Sequence, residues 1–303
     1  MKFGIYVHSK RPKISLNEIL KVILSAGLVY SRRNPDIAIV VGGDGTFGYY
    51  GKKLQIPMLF VGVNDKDIIG SKARLAEVLF EDLPKAIDDI NNGNYRLDKR
   101  RMFSVSIKNK NNADQNVIKS TTDILTDIYI ERGIFSRCIR YGLSVAKWGA
   151  NSESHTLKKF AEYAIGNGVI ISTSFGARGY YSYLDRIAVG KCNNNNKSNN
   201  RIQTFPDNRL GICHIIPTFL VRTLSLGKQK DDKEKTMPAR SSYIRYTIPF
   251  QSEIKINLTR NADVRLYGTT EHSRGLAVTS KNEIKISPSR RIAKIIRLDY
   301  GRT

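Results

Sequence analysis

The sequence predicts an α/β first domain with a mainly parallel sheet, followed by a β-rich second domain. Over about the first 100 residues, strand-like and helical patterns alternate, which favours parallel strands connected by helices. After Tyr95 the pattern changes to many short strand-like runs separated by polar turns, which is typical of a β-rich domain. We therefore place a domain boundary near residue 100, with a first domain over residues 1–100 and a second over residues 101–286.

Apolar runs and periodicity predict the elements of both domains. The predicted strands of the first domain cover residues 2–8, 37–41 and 58–63. Its predicted helices cover residues 16–28, 47–54 and 72–91, with Pro84 starting a second segment of the last one. In the second domain, strands are predicted at residues 102–107, 124–130, 168–171, 210–216, 243–248, 254–258, 264–267 and 283–286.

The composition indicates a globular protein of one large or two ordinary domains, because 41% of the 303 residues are hydrophobic. No apolar run approaches the roughly 18 residues of a membrane-spanning helix, and the amino terminus lacks the features of a secretory signal. We therefore expect a cytoplasmic protein with no membrane partner. Cys138, Cys192 and Cys213 are scattered without metal-ligand spacing, so we expect free thiols rather than a structural zinc site.

The formal net charge of +23 suits polyanionic partners such as nucleotides, polyphosphate or nucleic acid. The same charge is also compatible with no partner at all, since it favours solubility. No helix-turn-helix, zinc-finger or RNP-type pattern occurs in the sequence. A nucleic-acid partner therefore rests on charge alone: it is not the expected partner, but the basic surface leaves it open as an alternative.

Residues 36–48, DIAIVVGGDGTFG, are the most informative stretch of the chain. Five apolar residues predict a strand buried on both faces, and Gly42, Gly43 and Gly45 allow a sharp turn and close approach of a ligand. Thr46 is predicted as the N-cap of the following helix. A strand that ends in glycines and opens a helix is suited to phosphate, because backbone N–H groups point outward there.

Asp44 lies in the middle of this turn, although a carboxylate is a poor phosphate ligand. It could accept a proton from a substrate hydroxyl, or hold a metal ion that bridges phosphates. The alternative is a tight strand-to-helix turn whose Asp serves only as a local cap. Three glycines, one carboxylate and one hydroxyl within five residues make the phosphate site the more specific interpretation.

The five residues from Gly42 to Thr46 resemble the GGDGT signature of the NAD kinases, which diacylglycerol and sphingosine kinases share and phosphofructokinases share more distantly. The resemblance implies that Gly42, Gly43, Gly45 and Thr46 bind the phosphates of the donor. It implies that Asp44 deprotonates or orients the attacking hydroxyl, and that Mg²⁺ neutralises the developing charge. No residue of the chain is assigned as a metal ligand.

Three later segments resemble NAD kinases in the same order. Residues 62–64, GVN, match a family segment of the same sequence, which is followed by a loop that touches the bound dinucleotide, and the resemblance implies that Asn64 helps to bind the substrate. Residues 125–133, LTDIYIERG, are similar to the segment L-N-[ED]-x-x-I-x-R-G, with Thr126 in place of the Asn and Asp127 as the acid. Residues 173–180, TSFGARGY, replace the loop TPTGSTAY, so that Tyr180 is expected to stack on the substrate and Arg178 to meet a phosphate.

The resemblance implies transfer of a phosphoryl group from ATP or polyphosphate to the 2′-hydroxyl of the adenosine ribose of NAD, which gives NADP. It also implies a homo-oligomer and the return of residues 287–303 to the first domain. Two alternatives stay open. The altered loop could admit a different acceptor, such as a nucleoside, a nucleotide or a lipid, or the chain could bind nucleotides without catalysis.

Overall fold

The computed structural model describes residues 1–10, 12–63, 73–110, 118–134, 137–147, 159–188, 204–225, 238–240, 244–268 and 275–299. The chain divides into two compact units. The first unit comprises Met1–Arg101 with Arg291–Thr303, and the second comprises Met102–Arg290. The first is an α/β unit with a parallel sheet and the second is built of antiparallel strands, so the predicted fold class is confirmed.

The first unit begins with alternating strands and helices. Its elements are β1 (Lys2–Val7), α1 (Leu16–Ser25), β2 (Val29–Tyr30), β3 (Ile37–Gly42), α2 (Asp44–Lys53), β4 (Met58–Gly62), β5 (Val78–Leu79) and α3 (Leu83–Asn91). A 3₁₀ turn, Phe80–Asp82, connects β5 to α3. The next strand, β6 (Tyr95–Asn109), carries the chain into the second unit.

The sheet of the first unit is parallel. Its strands lie in the order β2, β1, β3, β4, and β4 also pairs with β5. The register aligns Gly42 with Gly62, so β3 and β4 end side by side. Ligands of parallel α/β sheets generally bind beyond the carboxyl ends of the strands. The glycine turn that follows β3 therefore lies at the edge where a ligand is expected.

Helices cover both faces of this sheet. Side chains alternate along a strand, and Ile39 of β3 joins the cluster formed with Ile19 and Ile23 of α1 and with Ile87 of α3. The opposite face meets α2, because Phe47 stacks on Phe60 with ring centroids 4.6 Å apart. Because both faces are covered, β3 and β4 consist entirely of buried residues, as the uninterrupted apolar run predicts.

Helix α1 has a capping box in which the Ser15 side chain accepts a hydrogen bond from the backbone N–H of Glu18, and the Glu18 carboxylate accepts one from the backbone N–H of Ser15. The predicted helix over residues 72–91 is wrong in its first half. Val78 and Leu79 form β5, which pairs with Val61 and Gly62 of β4. A short apolar run cannot be assigned to helix or strand from periodicity alone, and here pairing with β4 decides the outcome.

The second unit is built from short strands. They are β7 (Ile118–Ile124), β8 (Asp127–Arg132), β9 (Ile139–Lys147), β10 (Lys159–Gly166), β11 (Gly168–Thr173), β12 (Arg209–Ile215), β13 (Phe219–Ser225), β14 (Pro238–Arg240), β15 (Arg245–Pro249), β16 (Ser252–Leu258), β17 (Val264–Tyr267) and β18 (Leu276–Val278). The final strand, β19 (Asn282–Leu298), runs back into the first unit, where Ile295 pairs with Met58 of β4. The short helix α4 covers Tyr183–Ala188.

Two antiparallel sheets form the second unit. One contains β14, β13, β10, β9, β16 and the start of β19 in that order, and the other contains β15, β12, β11, β8, β17 and β18. A single apolar cluster with members from both sheets, such as Leu143 of β9 and Ile130 of β8, fills the space between them. The outer face of the second sheet carries two 3₁₀ turns, Gly176–Arg178 and Tyr180–Ser182, followed by α4.

Among the described helices, none combines the length and the apolar character that a membrane crossing needs.

Candidate functional site

The first part of the candidate site is the phosphate turn, which we define as Gly42–Thr46. Gly42 ends β3 with a φ of +154°, a conformation that residues with a side chain rarely adopt. A Cβ atom added at Gly42 would lie 2.7 Å from Thr46 Oγ1. Both the backbone angle and the closeness of Thr46 therefore require glycine at this position.

Gly43 and Gly45 have a different reason to be glycine. Among the residues that the structure describes, a Cβ atom at either position would meet no heavy atom within 4 Å, so this part of the chain leaves space open above the turn. Gly43 is the N-cap of α2, and no side chain caps the helix there. The first N–H groups of an α-helix have no partner within the helix. Open space beside such donors, together with the positive end of the helix dipole, suits an anion.

Asp44 is the first residue of α2, and its side chain is partly exposed. Its Oδ1 accepts a hydrogen bond of 3.0 Å from the backbone N–H of Leu75. A carboxylate in the first turn of a helix is stabilised by the helix dipole. The turn therefore holds one oriented carboxylate beside open space, which is the arrangement needed to accept a proton or contact a cation.

The prediction that Thr46 is the N-cap is wrong. Thr46 is the third residue of α2, and its N–H donates to the carbonyl of Gly43 at 2.9 Å. Its side chain is 8% exposed and contacts the position of Gly42. The helix starts earlier than predicted because glycine in an extended conformation can serve as the cap without a side chain. The Thr46 side chain therefore packs against Gly42 within the turn, and its backbone N–H is already hydrogen-bonded to the carbonyl of Gly43.

The part of the chain that the structure describes contains no group of three or more His, Cys, Asp or Glu side chains placed to hold a metal ion. Mg²⁺ in phosphotransferases is usually held by one or two carboxylates together with substrate phosphates, rather than by a cage of protein ligands. Asp44 offers one such carboxylate. The phosphate turn therefore fits a magnesium ion that arrives with a nucleotide.

The second part of the candidate site lies on the outer face of β8, where Thr126 and Asp127 meet the loop after β11. The N–H of Thr173 donates to the carbonyl of Thr126 at 2.8 Å, and the Thr173 hydroxyl donates to the same carbonyl at 3.0 Å. A Cβ atom on Gly176 would lie 2.5 Å from the backbone of Thr126. The loop therefore packs directly on Thr126, which is only 9% exposed.

Two glycines lie beside Asp127, and at Gly268 a close approach of the backbone requires glycine. A Cβ atom on Gly179 would lie 3.6 Å from Asp127 Oδ2, and one on Gly268 would lie 2.6 Å from the Asp127 carbonyl. Gly268 also has a φ of +90°, which favours glycine. Asp127 itself is partly exposed.

Tyrosine rings lie beside Asp127. Tyr129 stacks on Tyr267 with ring centroids 4.9 Å apart, and Tyr180 meets the edge of Tyr129 at 5.1 Å. The Tyr180 hydroxyl donates to Glu131 Oε1 at 2.5 Å. Burial, followed by the charge of Glu131, raises the pKa of Tyr129 to about 12, and burial with the Glu131 hydrogen bond raises the pKa of Tyr180 further. Both hydroxyls therefore stay protonated at neutral pH.

The structure brings together the predicted site residues of each unit. Gly42, Gly43, Asp44, Gly45 and Thr46 form the phosphate turn, and Thr126, Asp127, Arg178 and Tyr180 lie on or beside the outer face of β8. Arg178 ends the first 3₁₀ turn and is exposed. Asn64 lies outside the described residues.

Sequence reasoning missed Leu75, Glu131, Tyr129 and Tyr267. Leu75 acts through its backbone N–H, so no residue type could have indicated it. Tyr129 and Glu131 alternate with buried isoleucines along β8, and this period-2 pattern was a usable signal that both face away from the core. The pairing of Tyr267 with Tyr129 depends on β17 lying next to β8, which the sequence does not reveal.

His214 belongs to a separate buried network in the second unit. Its Nε2 lies 3.0 Å from Glu162 Oε2, and its Nδ1 lies 2.7 Å from the Tyr141 hydroxyl. The Tyr246 hydroxyl donates to Glu162 Oε2 at 2.6 Å, and Arg222 donates two hydrogen bonds to Oε1. His214 is fully buried, and this network joins strands of the two sheets, with its Arg222 end partly exposed. His272 lies outside the described residues.

Sequence comparison finds similarity to curated bacterial NAD kinases. The NAD kinase of Clostridium perfringens is 31% identical over 147 residues, which cover 48% of this chain and 45% of that protein. The NAD kinase of Clostridium kluyveri is 32% identical over 146 residues, which cover 48% of this chain and 44% of that protein. The matched region of the chain thus covers less than half the length of each of these relatives. No family model matches the chain.

Structure comparison finds the same fold over nearly the whole chain. Yeast NADH kinase, solved in complex with NADH, superposes with a TM-score of 0.65 at 13% identity, covering 98% of this chain and 83% of that one. An NAD kinase from Archaeoglobus fulgidus, solved in complex with ATP, superposes with a TM-score of 0.55 at 14% identity, covering 99% and 94%. At these identities the likeness establishes the fold.

Proposed function

We propose that this chain, a divergent relative of the NAD kinases, transfers the terminal phosphoryl group of ATP or polyphosphate to the 2′-hydroxyl of the adenosine ribose of NAD and so forms NADP. The observation that carries the proposal is the phosphate turn, in which an oriented carboxylate begins a helix beside open space. The sequence similarity to bacterial NAD kinases supports the same activity.

The first unit binds the phosphates of the donor in this proposal. Gly43 and Gly45 leave the room that phosphate oxygens need, and the start of α2 supplies N–H groups and a positive dipole end. Asp44 accepts the proton of the attacking hydroxyl, or orients that hydroxyl for attack. Gly42 and Thr46 fix the shape of the turn without contacting the reacting atoms. Most of the rate enhancement comes from positioning and electrostatics.

The second unit binds the acceptor. Asp127 is partly exposed and can accept hydrogen bonds from the hydroxyl or amine groups of a nucleoside. Tyr180 offers an aromatic ring whose orientation is fixed by Glu131, and base–aromatic stacking is tolerant of the base involved. Arg178 is exposed at the edge of this surface and supplies a guanidinium for a phosphate. We assign the buried Thr126 to the same acceptor site, and Asn64 of the first unit contributes to acceptor binding as well.

Mg²⁺ is the proposed cofactor. Asp44 and the phosphates of the donor would hold it, and it would supply charge neutralisation for the phosphoryl group that is transferred. The remaining steps belong to the chain: the phosphate turn holds the donor, and Asp44 takes or directs the proton. We further propose that the protein is cytoplasmic and forms a homo-oligomer. Size-exclusion chromatography with light scattering tests the oligomeric state directly.

The proposal is tested by incubating the purified chain with NAD, ATP and Mg²⁺ and measuring NADP. Parallel reactions replace ATP by polyphosphate, and NAD by NADH, to identify the donor and acceptor. We expect NADP to accumulate with at least one donor and to require the divalent cation. Nucleotide binding without any phosphorylated product would reject the proposal and favour a non-catalytic nucleotide-binding protein.

A different acceptor is the second candidate function. The observation in its favour is that Thr126, in the place of an asparagine of the family pattern, is only 9% exposed and so offers an acceptor little surface. A screen with labelled ATP against NAD, NADH, nucleosides, nucleotides and lipids separates the two. Label on a compound other than NAD or NADH, with none on these two, would favour this candidate.

A further inference from the structure

Arg74 carries a buried nitrogen whose hydrogen-bonding capacity is unused. Its Nη1 atom is inaccessible to solvent, and among the residues that the structure describes it has no hydrogen-bond partner. The rest of the side chain is partly exposed. A guanidinium is always charged and has five N–H donors, and leaving a buried donor unpaired is costly. Such an atom calls for an acceptor that the described residues do not supply, such as a water molecule, an ion or a ligand.

The backbone around Arg74 is fixed beside the phosphate turn. The next residue, Leu75, donates its N–H to Asp44 Oδ1 at 3.0 Å. The N–H of Ala76 donates to the carbonyl of Ala73 at 3.3 Å, which closes a turn around Arg74. The methyl groups of Ala73 and Ala76 lie against Gly62 at the end of β4, where a Cβ atom would be 2.9 Å from one and 3.0 Å from the other.

This placement puts the backbone of a cationic residue at the edge of the sheet where the phosphate turn lies. Gly62 is the register partner of Gly42, so the turn around Arg74 and the phosphate turn sit at the ends of neighbouring strands. The phosphate turn contains one charged side chain, the carboxylate of Asp44, which repels phosphate. A neighbouring guanidinium offsets that repulsion and pairs with two phosphate oxygens at once.

We propose that Arg74 binds a phosphate oxygen of a nucleotide held at the phosphate turn. The inference rests on the nucleotide site of the proposed function but not on phosphoryl transfer itself. The phosphate belongs either to the donor, ATP, or to the pyrophosphate of the acceptor, NAD. The two share the same chemistry, and separate titrations distinguish them.

The experiment compares the full-length chain with three variants, Arg74→Met, Arg74→Lys and Arg32→Met. Arg32 is an exposed arginine of the same unit, so its replacement removes the same charge away from the turn. Calorimetric titrations with ATP, and separately with NAD, give dissociation constants. We expect Arg74→Met to raise the dissociation constant of one of the two nucleotides at least tenfold. Arg74→Lys should raise it less, because lysine keeps the positive charge but loses the two parallel N–H donors of the guanidinium. Arg32→Met should bind like the wild type.

Thermal unfolding without ligand separates ligand binding from a structural role. Replacing an unpaired buried donor by an apolar side chain removes its desolvation penalty, so unliganded Arg74→Met should unfold at the wild-type temperature or above. The inference would be overturned if Arg74→Met bound both nucleotides with dissociation constants within twofold of the wild-type values. It would also be overturned if the wild-type protein bound neither nucleotide. If the chain binds nucleotide through Arg74 but forms no NADP, the role of Arg74 is supported and the proposed phosphoryl transfer is rejected.

Discussion

The backbone N–H of Leu75 donates a 3.0 Å hydrogen bond to Oδ1 of Asp44, although the two residues are 31 positions apart in the chain. This bond orients the only charged side chain of the phosphate turn. Because the donor is backbone, it does not depend on the identity of residue 75. The orientation of Asp44 depends instead on the turn at residues 73–76, which is fixed by the N–H of Glu77 donating to the carbonyl of Phe60 at 2.8 Å.

Replacing Gly42 by alanine should destabilise the fold. The new Cβ would lie 2.7 Å from Thr46 Oγ1, and the residue would keep a φ of +154°. We expect a loss of about 1–3 kcal/mol in the free energy of unfolding, the usual cost of a strained backbone position. Urea denaturation followed by circular dichroism measures it.

Gly43→Ala is the matched control for Gly42→Ala. Its Cβ would meet no atom of the described residues within 4 Å, and its φ of −106° is open to alanine. The free energy of unfolding should stay within about 0.5 kcal/mol of the wild type, as for most surface substitutions. The affinity for ATP should fall, because the methyl group enters the proposed phosphate space. Equal stability losses in both variants would contradict the different roles of these glycines.

The ring of Tyr180, rather than its hydroxyl, is expected to bind the acceptor. Tyr180→Ala should raise KM for NAD about tenfold with kcat little changed, since stacking on a base contributes about 1–3 kcal/mol. Tyr180→Phe keeps the ring but loses the bond to Glu131, so it should lower stability by about 1 kcal/mol and leave KM nearly unchanged. Steady-state kinetics and thermal unfolding provide both values. An unchanged KM in Tyr180→Ala would remove Tyr180 from the acceptor site.

The buried Glu162 should make stability depend on acidic pH. Burial acts to raise the pKa of Glu162, but hydrogen bonds from His214, Tyr246 and Arg222 outweigh it and hold the pKa below the ordinary value of 4.5. A carboxylate with a lowered pKa in the folded state stabilises the fold above its unfolded pKa. That contribution is lost as the pH falls through the folded pKa, so the affected range begins at about pH 4.5 and extends downward.

Glu162→Gln measures this contribution by difference. At neutral pH the variant should lose about 3 kcal/mol, because Arg222 and His214 are left without the carboxylate they contact. Its unfolding temperature should then fall less steeply than that of the wild type as the pH is lowered from 6 to 3, since one group with a lowered pKa is gone. Parallel pH profiles for the two proteins would show that Glu162 has no shifted pKa.

Local pattern predicted the elements that position the phosphate turn, and long-range pairing decided the rest. The run Ile37–Gly42 is buried on both faces, so its apolar residues alone identified β3 and the turn after it. Val78 and Leu79 form a strand only because β4 is beside them, which their own sequence cannot indicate. Contacts made through backbone atoms, such as the hydrogen bond from the Leu75 N–H to Asp44, cannot be predicted from the types of the residues that make them.

The same limit explains the acceptor face. Asp127 and Tyr180 were identified because their segments resemble those of NAD kinases, whereas the stacking of Tyr129 on Tyr267 required knowing that β8 and β17 are neighbours. The start of α2 was missed because the helix begins at a glycine cap, which has no side chain to indicate it.

The most direct test is the rate of NADP formation by Asp44→Asn. Asparagine keeps the size of the side chain and an oxygen that can accept from Leu75, so folding and ATP affinity should be retained, as circular dichroism and calorimetry would verify. Loss of the general base should lower kcat by about 10²–10⁴-fold. A folded Asp44→Asn protein that forms NADP at the wild-type rate would contradict the central role of this carboxylate.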